Sequence, residues 1–285
     1  MGRSLTEAAQ FVLDSLGNLG INVPPGSRFD RMCRVLRNPD GSSRGVIPED
    51  DPDYQVAHEA LRDVTELEFV FEHGRLDADS QELRKILGRL IGDSVLPQND
   101  TQKSPGRDAQ TELFVFALCQ RGGLAPSLTE PDIVCSVTGR RVALAVKRIK
   151  GMNKLVDRIR EGASQVKRSG LYGIVVAEIT LAVNRQNREM FAPEPRTSLG
   201  CQWSARITRL VDQEYRHLQM AVRDKGVIGV VLHEHQVSID SRGQRRLESM
   251  TYTVPMCDNR PDLRADLDVF RTQYVGALPN LVILG

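Results

Sequence analysis

The sequence predicts an α/β protein in which a mainly helical N-terminal part precedes a sheet flanked by helices. In residues 1–100 the apolar side chains recur at helical spacing, whereas from residue 108 helical segments alternate with short apolar runs typical of strands. The turn-rich stretch 97–107 separates the two patterns and is the predicted linker. We therefore expect a small helical domain over 1–100 and an α/β domain over 105–285.

The composition is that of an ordinary globular protein. Hydrophobic residues make up 40% of the 285 residues and charged residues 26%, which does not suit a fibrous or disordered chain. No run approaches the roughly 20 apolar residues that span a bilayer, and the first residues lack the pattern of a signal peptide, so we expect a cytoplasmic protein without a membrane partner. Five scattered cysteines, an odd number, predict free thiols rather than a disulfide framework. These are Cys33, Cys119, Cys135, Cys201 and Cys257.

The N-terminal part is expected to be helical and acidic. Its loop-rich segment 22–53 contains a basic helix-like turn over 28–37. Residues 1–100 hold 11 Lys and Arg against 18 Asp and Glu, a net charge of −7, so the remainder carries +8 to give the overall +1. A basic second half suits a polyanionic partner. The predicted helices are 6–19, 54–71 and 79–91.

The second half alternates helices and strands. A double glycine, Gly122-Gly123, ends the first helix, and Thr138-Gly139-Arg140 joins two strands in a hairpin-like connection. Trp203 is expected in the core. The predicted helices are 108–120, 152–168 and 203–223, and the predicted strands are 132–137, 141–148, 171–183, 227–239 and 247–254.

The hairpin carries the residues of chemical interest. Hydrolysis of a phosphodiester needs a divalent cation, and the hard Mg²⁺ ion prefers carboxylate oxygens. Asp132 opens the first strand, and the second strand ends in Ala145-Val146-Lys147. Because residues i and i+2 point to the same face of a sheet, Ala145 and Lys147 are expected on one face, with Val146 on the other. A lysine beside a metal site stabilises transition-state charge.

Residues 105–183 resemble the PD-(D/E)xK, or restriction-endonuclease-like, nuclease superfamily. The resemblance rests on Glu112 in the preceding helix, on Pro131-Asp132, on Lys147 and on Gln165 in the following helix. It implies a mixed sheet flanked by helices, in which Asp132 binds Mg²⁺ or Mn²⁺ and Glu112 supports the metal. It also implies that Lys147 assists the attacking water and that Gln165 orients the lysine or the phosphate.

The chain departs from this pattern at Ala145, where the family has the acid of its (D/E)xK element. Metal binding is therefore expected to be severely weakened. Three explanations remain open: an engineered inactivating substitution, natural decay into a binding module, or an acid that has migrated from elsewhere, with Glu178 as the candidate. The survival of Asp132, Glu112 and Lys147 favours the engineered substitution.

A dense basic segment follows the hairpin. Residues 147–168 contain eight basic side chains against Asp157 and Glu161, which suits either a phosphate-binding surface or a solvated helix. Aromatic side chains are too sparse there for base stacking. The predicted DNA-contacting residues are Arg148, Lys150, Lys154, Arg158, Lys167 and Arg168.

The function expected from the resemblance is a Mg²⁺-dependent endonuclease or exonuclease acting on DNA in bacterial restriction, phage defence or repair. The N-terminal domain would then serve partner contact, homodimerisation or control. A nuclease-fold protein that binds nucleic acid or acts as a scaffold without chemistry is the alternative, and an α/β adaptor that self-associates through its opposite charges is a third. His233 and His235 share a strand face, but packing explains them better than zinc does, because no third ligand is evident.

Overall fold

The structure is a computed structural model. It describes residues 3–38, 40–44, 47–77, 79–99, 103–185, 190–191, 197–239, 245–257 and 260–283. Among these residues, no helix combines the length and the apolar character needed to cross a membrane.

Four helices form the N-terminal part, in agreement with the helical pattern. Serine side chains cap three of them: the hydroxyl of Ser4 accepts from the Glu7 N–H at 3.3 Å, that of Ser27 from Asp30 at 3.5 Å and that of Ser80 from Leu83 at 3.3 Å. The basic stretch expected as a helix-like turn forms a helix of its own. The helices are α1 (Leu5–Asn18), α2 (Arg28–Val35), α3 (Tyr54–His73) and α4 (Gln81–Leu90).

The second half is an α/β layer structure that follows most of the expected elements. Its first helix begins three residues earlier than predicted, at Pro105, a residue favoured in the first helical turn. The helices are α5 (Pro105–Arg121), α6 (Leu155–Ser169), α7 (Thr180–Val183), α8 (Thr197–Val222) and α9 (Pro261–Gly276). The strands are β1 (Ser127–Thr129), β2 (Asp132–Val137), β3 (Arg140–Arg148), β4 (Tyr172–Glu178), β5 (Met190–Phe191), β6 (Val227–Ile239), β7 (Arg245–Pro255) and β8 (Asn280–Ile283).

Within the described residues these strands form one mixed sheet of eight strands, in the order β1-β2-β3-β4-β6-β7-β8, with β5 paired to β6. The first three strands are an antiparallel meander, β3, β4 and β6 run parallel, and β7 and β8 return antiparallel. Helix α6 is the crossover between the parallel strands β3 and β4. The expected mixed sheet with flanking helices is therefore present.

The two faces of the sheet pack against different helices. On one face, Val142, Leu144 and Val146 of β3 share a core with α1, α2, α3, α4, α5 and α9. On the other face, Ala145 of β3 and Val175 of β4 pack with α6 and α8. The alternation read from the sequence of β3 is therefore confirmed. One core includes residues on both sides of residue 100, and the division into domains 1–100 and 105–285 remains a prediction.

Three details of the sequence prediction need correction. The strand predicted over 171–183 ends at Glu178, because its carboxylate accepts from the Thr180 N–H at 2.7 Å and starts the short helix α7. Helix α9 and the strands β1, β5 and β8 were not predicted. Cys33, Cys119, Cys135 and Cys257 are free and buried, as expected, whereas Cys201 falls outside the described side chains. Trp203 is buried in the core, as expected.

Candidate active site

The start of β2 and the end of β3 bring an acid and a lysine together. The antiparallel register pairs Ile133 with Leu144, so Asp132 begins its strand beside the end of the hairpin that carries Lys147. The Nζ atom of Lys147 lies 3.2 Å from Oδ2 of Asp132, and the N–H of Val146 donates to the same oxygen at 2.7 Å. Both side chains are largely buried. The hairpin thus brings Asp132 and Lys147 into an ion pair, while the roles predicted for them remain predictions.

Burial sets the protonation behaviour of this pair. It raises the pKa of the Asp132 carboxyl above its ordinary value, while the charge of Lys147 and the N–H of Val146 lower it. A carboxylate withdrawn from water and next to a fixed cation holds its orientation, which suits a metal ligand or a substrate contact.

Glu112 of α5 approaches the same place from the face of the sheet that carries Val146. Burial raises the pKa of its carboxyl, and the negative charge of Asp132 raises it further. Arg89 of α4 opposes this effect with an ion pair, in which Nη2 lies 2.7 Å from Oε2 of Glu112. Two neighbouring carboxylates that repel each other favour a bound cation.

A cleft of about 690 Å³ opens beside Lys147 along α6. Gln165 lines it, and the Oε1 atom of Gln165 is buried without a hydrogen-bond donor among the described residues. A buried amide oxygen without a donor suits a site that receives a ligand or water. The other lining residues are Asp157, Arg158, Arg160, Glu161, Ser164 and Arg168.

Ala145 lies beneath α6 and has no exposed surface. Helix α6 crosses it at Gly162, where a Cβ atom would stand 3.4 Å from the Cβ of Ala145 and 3.4 Å from Cγ of Lys147. Ala145 therefore lies on the Lys147 face, as predicted, and it is covered by a closely packed helix.

The donor set for a metal is small. Among the described residues, no group of three or more His, Cys, Asp and Glu side chains is placed to hold a metal ion. Glu178, the candidate for a migrated acid, does not join the set, because its carboxylate is paired with Nε of Arg148 at 3.5 Å and accepts from the Thr180 N–H. Asp132 and Glu112 remain as two carboxylates.

The predicted DNA-contacting residues differ in exposure. Lys154, Lys167 and Arg168 are exposed, Lys150 and Arg158 are half-buried, and Arg158 and Arg168 line the cleft. Arg148 cannot contribute to this surface, because its guanidinium is buried and paired with Glu178. The prediction for Arg148 is corrected: adjacent residues of a strand point to opposite faces, so Lys147 and Arg148 separate.

Two charged residues close to Glu112, Asp108 and Arg89, were not predicted as part of the candidate site. Asp108 lies one helical turn before Glu112 on α5; burial raises its pKa, and the charges of Arg148, Arg158 and Lys150 lower it. The spacing of four residues between Asp108 and Glu112 was the available signal, since it places both on one side of a helix. Arg89 gave no sequence signal, because it comes from a separate helix.

A second polar cluster is buried between α3, α5 and β6, on the face of the sheet that carries Val146, around a cavity of about 20 Å³. His233 and His235 belong to it with their rings stacked at 4.3 Å, and burial lowers the pKa of His233 to about 3, so that ring is neutral. Their Nδ1 atoms bond Tyr274 Oη and Ser249 Oγ, each at 3.1 Å. The packing explanation of the two histidines agrees with these contacts. The charged members are Arg62, Asp63, Glu66, Arg107, Arg148 and Glu178.

Comparison of the chain with models of protein families, with curated proteins and with solved structures gave no significant match. The fold and the site geometry are therefore the basis for the functional proposal.

Proposed function

We propose that the chain is a metal-dependent nuclease of the PD-(D/E)xK type that acts on DNA, held inactive as it stands by Ala145. The observation that carries the proposal is the pairing of Asp132 and Lys147 at 3.2 Å across the hairpin. Glu112 adds a second carboxylate, whose pKa the charge of Asp132 raises. These are three of the residues that the family resemblance requires, and they lie on β2, β3 and α5. The proposed setting is cytoplasmic restriction, defence or repair.

The two carboxylates fit a Mg²⁺ or Mn²⁺ ion. Such ions are held in many enzymes by one or two carboxylates, with water and substrate phosphate as the remaining ligands. When bound, the ion would activate water and offset the charge that develops on the phosphate. Asp132 is oriented for this role by the Val146 N–H and by Lys147, which leaves its second oxygen for the ion.

The remaining residues have roles that follow from where they lie. Lys147 borders the cleft along α6, where its ammonium group would stabilise negative charge on a phosphate and position the attacking water. Gln165 lines the same cleft and offers an amide to the phosphate or to the lysine. Lys154, Lys167 and Arg168 are exposed and Arg168 lines the cleft, so these cations are available to contact a nucleic-acid backbone.

The test is a cleavage assay of the chain, of Ala145→Glu and of Ala145→Gln on double-stranded DNA, single-stranded DNA and RNA. The glutamine variant is the matched control, because it adds the same volume under Gly162 without the charge. We expect Mg²⁺-dependent cleavage by Ala145→Glu alone, lost on addition of Asp132→Asn. If Ala145→Glu folds, binds DNA and does not cleave with Mg²⁺ or Mn²⁺, the nuclease proposal is wrong.

A nucleic-acid-binding or scaffold protein without chemistry is the second candidate. The observation in its favour is that each acid already has a protein cation: Arg89 for Glu112 and Lys147 for Asp132. It predicts DNA binding that falls steeply with salt and does not respond to chelator in either Ala145 variant. If the protein and both Ala145 variants neither bind nor cleave DNA, both candidates are excluded.

A further inference from the structure

The ion pair between Arg89 and Glu112 joins the N-terminal helices to the candidate active site. Arg89 is in the last turn of α4, and its Nη2 atom lies 2.7 Å from Oε2 of Glu112 on α5. The Arg89 side chain is 42% exposed and the Glu112 side chain 14%. The contact is therefore at the rim of the site, with the acid on the inner side.

The position of Arg89 is fixed by a close approach of two helices. Gly106, at the start of α5, lies against the last carbonyl groups of α4. A Cβ atom on Gly106 would stand 2.9 Å from the carbonyl oxygen of Arg89, 2.9 Å from that of Leu90 and 2.7 Å from that of Gly92. Only glycine permits this backbone contact, so the end of α4 is held against the first turn of α5, the helix that carries Glu112.

Arg107 strengthens the same junction. Its N–H donates to Oδ2 of Asp93 at 2.7 Å, and its guanidinium donates to the carbonyl oxygens of Ser94 at 2.8 Å and Val95 at 2.7 Å. These bonds tie the chain just after α4 to the first turn of α5. The backbone that carries Arg89 is therefore held next to α5 by the packed α4–α5 junction.

We propose, on the basis of the nuclease function above, that Arg89 is a positioning residue for Glu112 and that the N-terminal helices thereby complete the divalent-cation site. The pair uses one carboxylate oxygen, Oε2, and leaves Oε1 for the ion. Carboxylate ligands of metals are in general held by hydrogen-bonding partners of this kind. Each acid then has its own fixed partner, Lys147 for Asp132 and Arg89 for Glu112.

The test measures Mn²⁺ binding by electron paramagnetic resonance, which needs no cleavage, on the Ala145→Glu chain and on the same chain with Arg89→Gln, Arg89→Lys or Asp132→Asn. Arg84→Gln is the matched control, since Arg84 is exposed on the same helix and pairs with Asp79 away from Glu112. We expect Arg89→Gln to weaken Mn²⁺ binding by about 10–100-fold, Arg89→Lys to weaken it less, and Arg84→Gln to leave it unchanged. Thermal unfolding without metal checks that each variant is folded.

The two proposals fail in different ways. If Asp132→Asn abolishes Mn²⁺ binding while Arg89→Gln binds as tightly as its parent or more tightly, the positioning role of Arg89 is overturned and the metal site stands. If the Ala145→Glu chain binds no Mn²⁺, or if Asp132→Asn leaves the binding unchanged, the proposed metal-dependent function falls, and the role of Arg89 falls with it.

Discussion

Gly162 of α6 lies directly over Ala145 of β3. A Cβ atom on Gly162 would stand 3.4 Å from the Cβ of Ala145 and 2.9 Å from Cγ1 of Val175, so the helix and the two parallel strands are in close contact at this point. A longer side chain at position 145 therefore has to displace atoms of this packed contact.

This contact predicts how an acid at position 145 affects stability. Without metal, Ala145→Glu and Ala145→Gln should both unfold more easily than the parent, by about 1–3 kcal/mol, because extra atoms enter a packed position. Mg²⁺ at about 100 times its Kd should raise the free energy of unfolding of Ala145→Glu by about 2.7 kcal/mol and leave that of Ala145→Gln unchanged. Calorimetric unfolding with Mg²⁺ and with chelator measures both effects. Equal responses of the two variants to Mg²⁺ would contradict the proposed site.

The α4–α5 junction predicts opposite effects for two glycine substitutions. Gly106→Ala should destabilise the protein by about 1–3 kcal/mol, since the new methyl group meets three backbone carbonyl oxygens that cannot move independently. Gly88→Ala on α4 is the matched control: no atom lies within 4 Å of the added Cβ, so the gain in helix propensity should stabilise the protein by about 0.5–1 kcal/mol. Denaturant unfolding compares them. If Gly106→Ala is as stable as its parent, Gly106 does not lie in close contact with the carbonyl oxygens at the end of α4.

Glu66 predicts a pH dependence of stability. Burial raises the pKa of its carboxyl from the ordinary 4.5 to about 8, so the folded chain keeps this proton where the unfolded chain releases it. Its contribution to stability is therefore fully present below about pH 4.5 and is lost as the pH rises to about 8. In the parent, Nε2 of Gln110 donates to Oε2 of Glu66 at 2.6 Å. The Glu66→Gln variant keeps an oxygen that can accept this hydrogen bond, and it has no carboxyl proton to lose.

The variant should gain stability over the parent as the pH rises through this range, reaching roughly 2–5 kcal/mol. Urea unfolding between pH 4.5 and 8.5 measures the difference, and Glu82→Gln, at an exposed position of α4, shows what the loss of a surface carboxylate does by itself. A constant difference between Glu66→Gln and the parent would mean that Glu66 is ionised in the folded protein.

The basic surface of α6 predicts a salt-dependent loss of DNA binding. Replacing Lys154, Lys167 and Arg168 by glutamine should weaken binding and reduce the slope of log K against log salt by about 0.9 for each phosphate contact that is lost. Arg271→Gln is the control, because Arg271 is exposed on α9, which packs on the opposite face of the sheet. Fluorescence anisotropy with a DNA duplex at several salt concentrations tests it. An unchanged slope in the triple variant would remove α6 from the interface.

The hairpin was predictable because its signals are local. The alternation of β3 and the turn at Gly139 are set by neighbouring residues, and they were enough to place Asp132 and Lys147 together. The second half of the strand predicted over 171–183 was wrong, since apolar residues such as Leu181 fit a buried short helix as well as a strand. Local pattern does not distinguish the two when both faces are covered.

The sequence by itself determined most of the longer helices and strands, the two faces of β3 and the hairpin that carries Asp132 and Lys147, because each follows from spacing along a few residues. The tertiary structure alone decided that Arg89 reaches Glu112, that Arg148 and Glu178 form a buried pair, and that Gly162 covers Ala145. These contacts join separate elements of the chain. Their geometry depends on how close two packed surfaces come, and no periodicity within either segment encodes that distance.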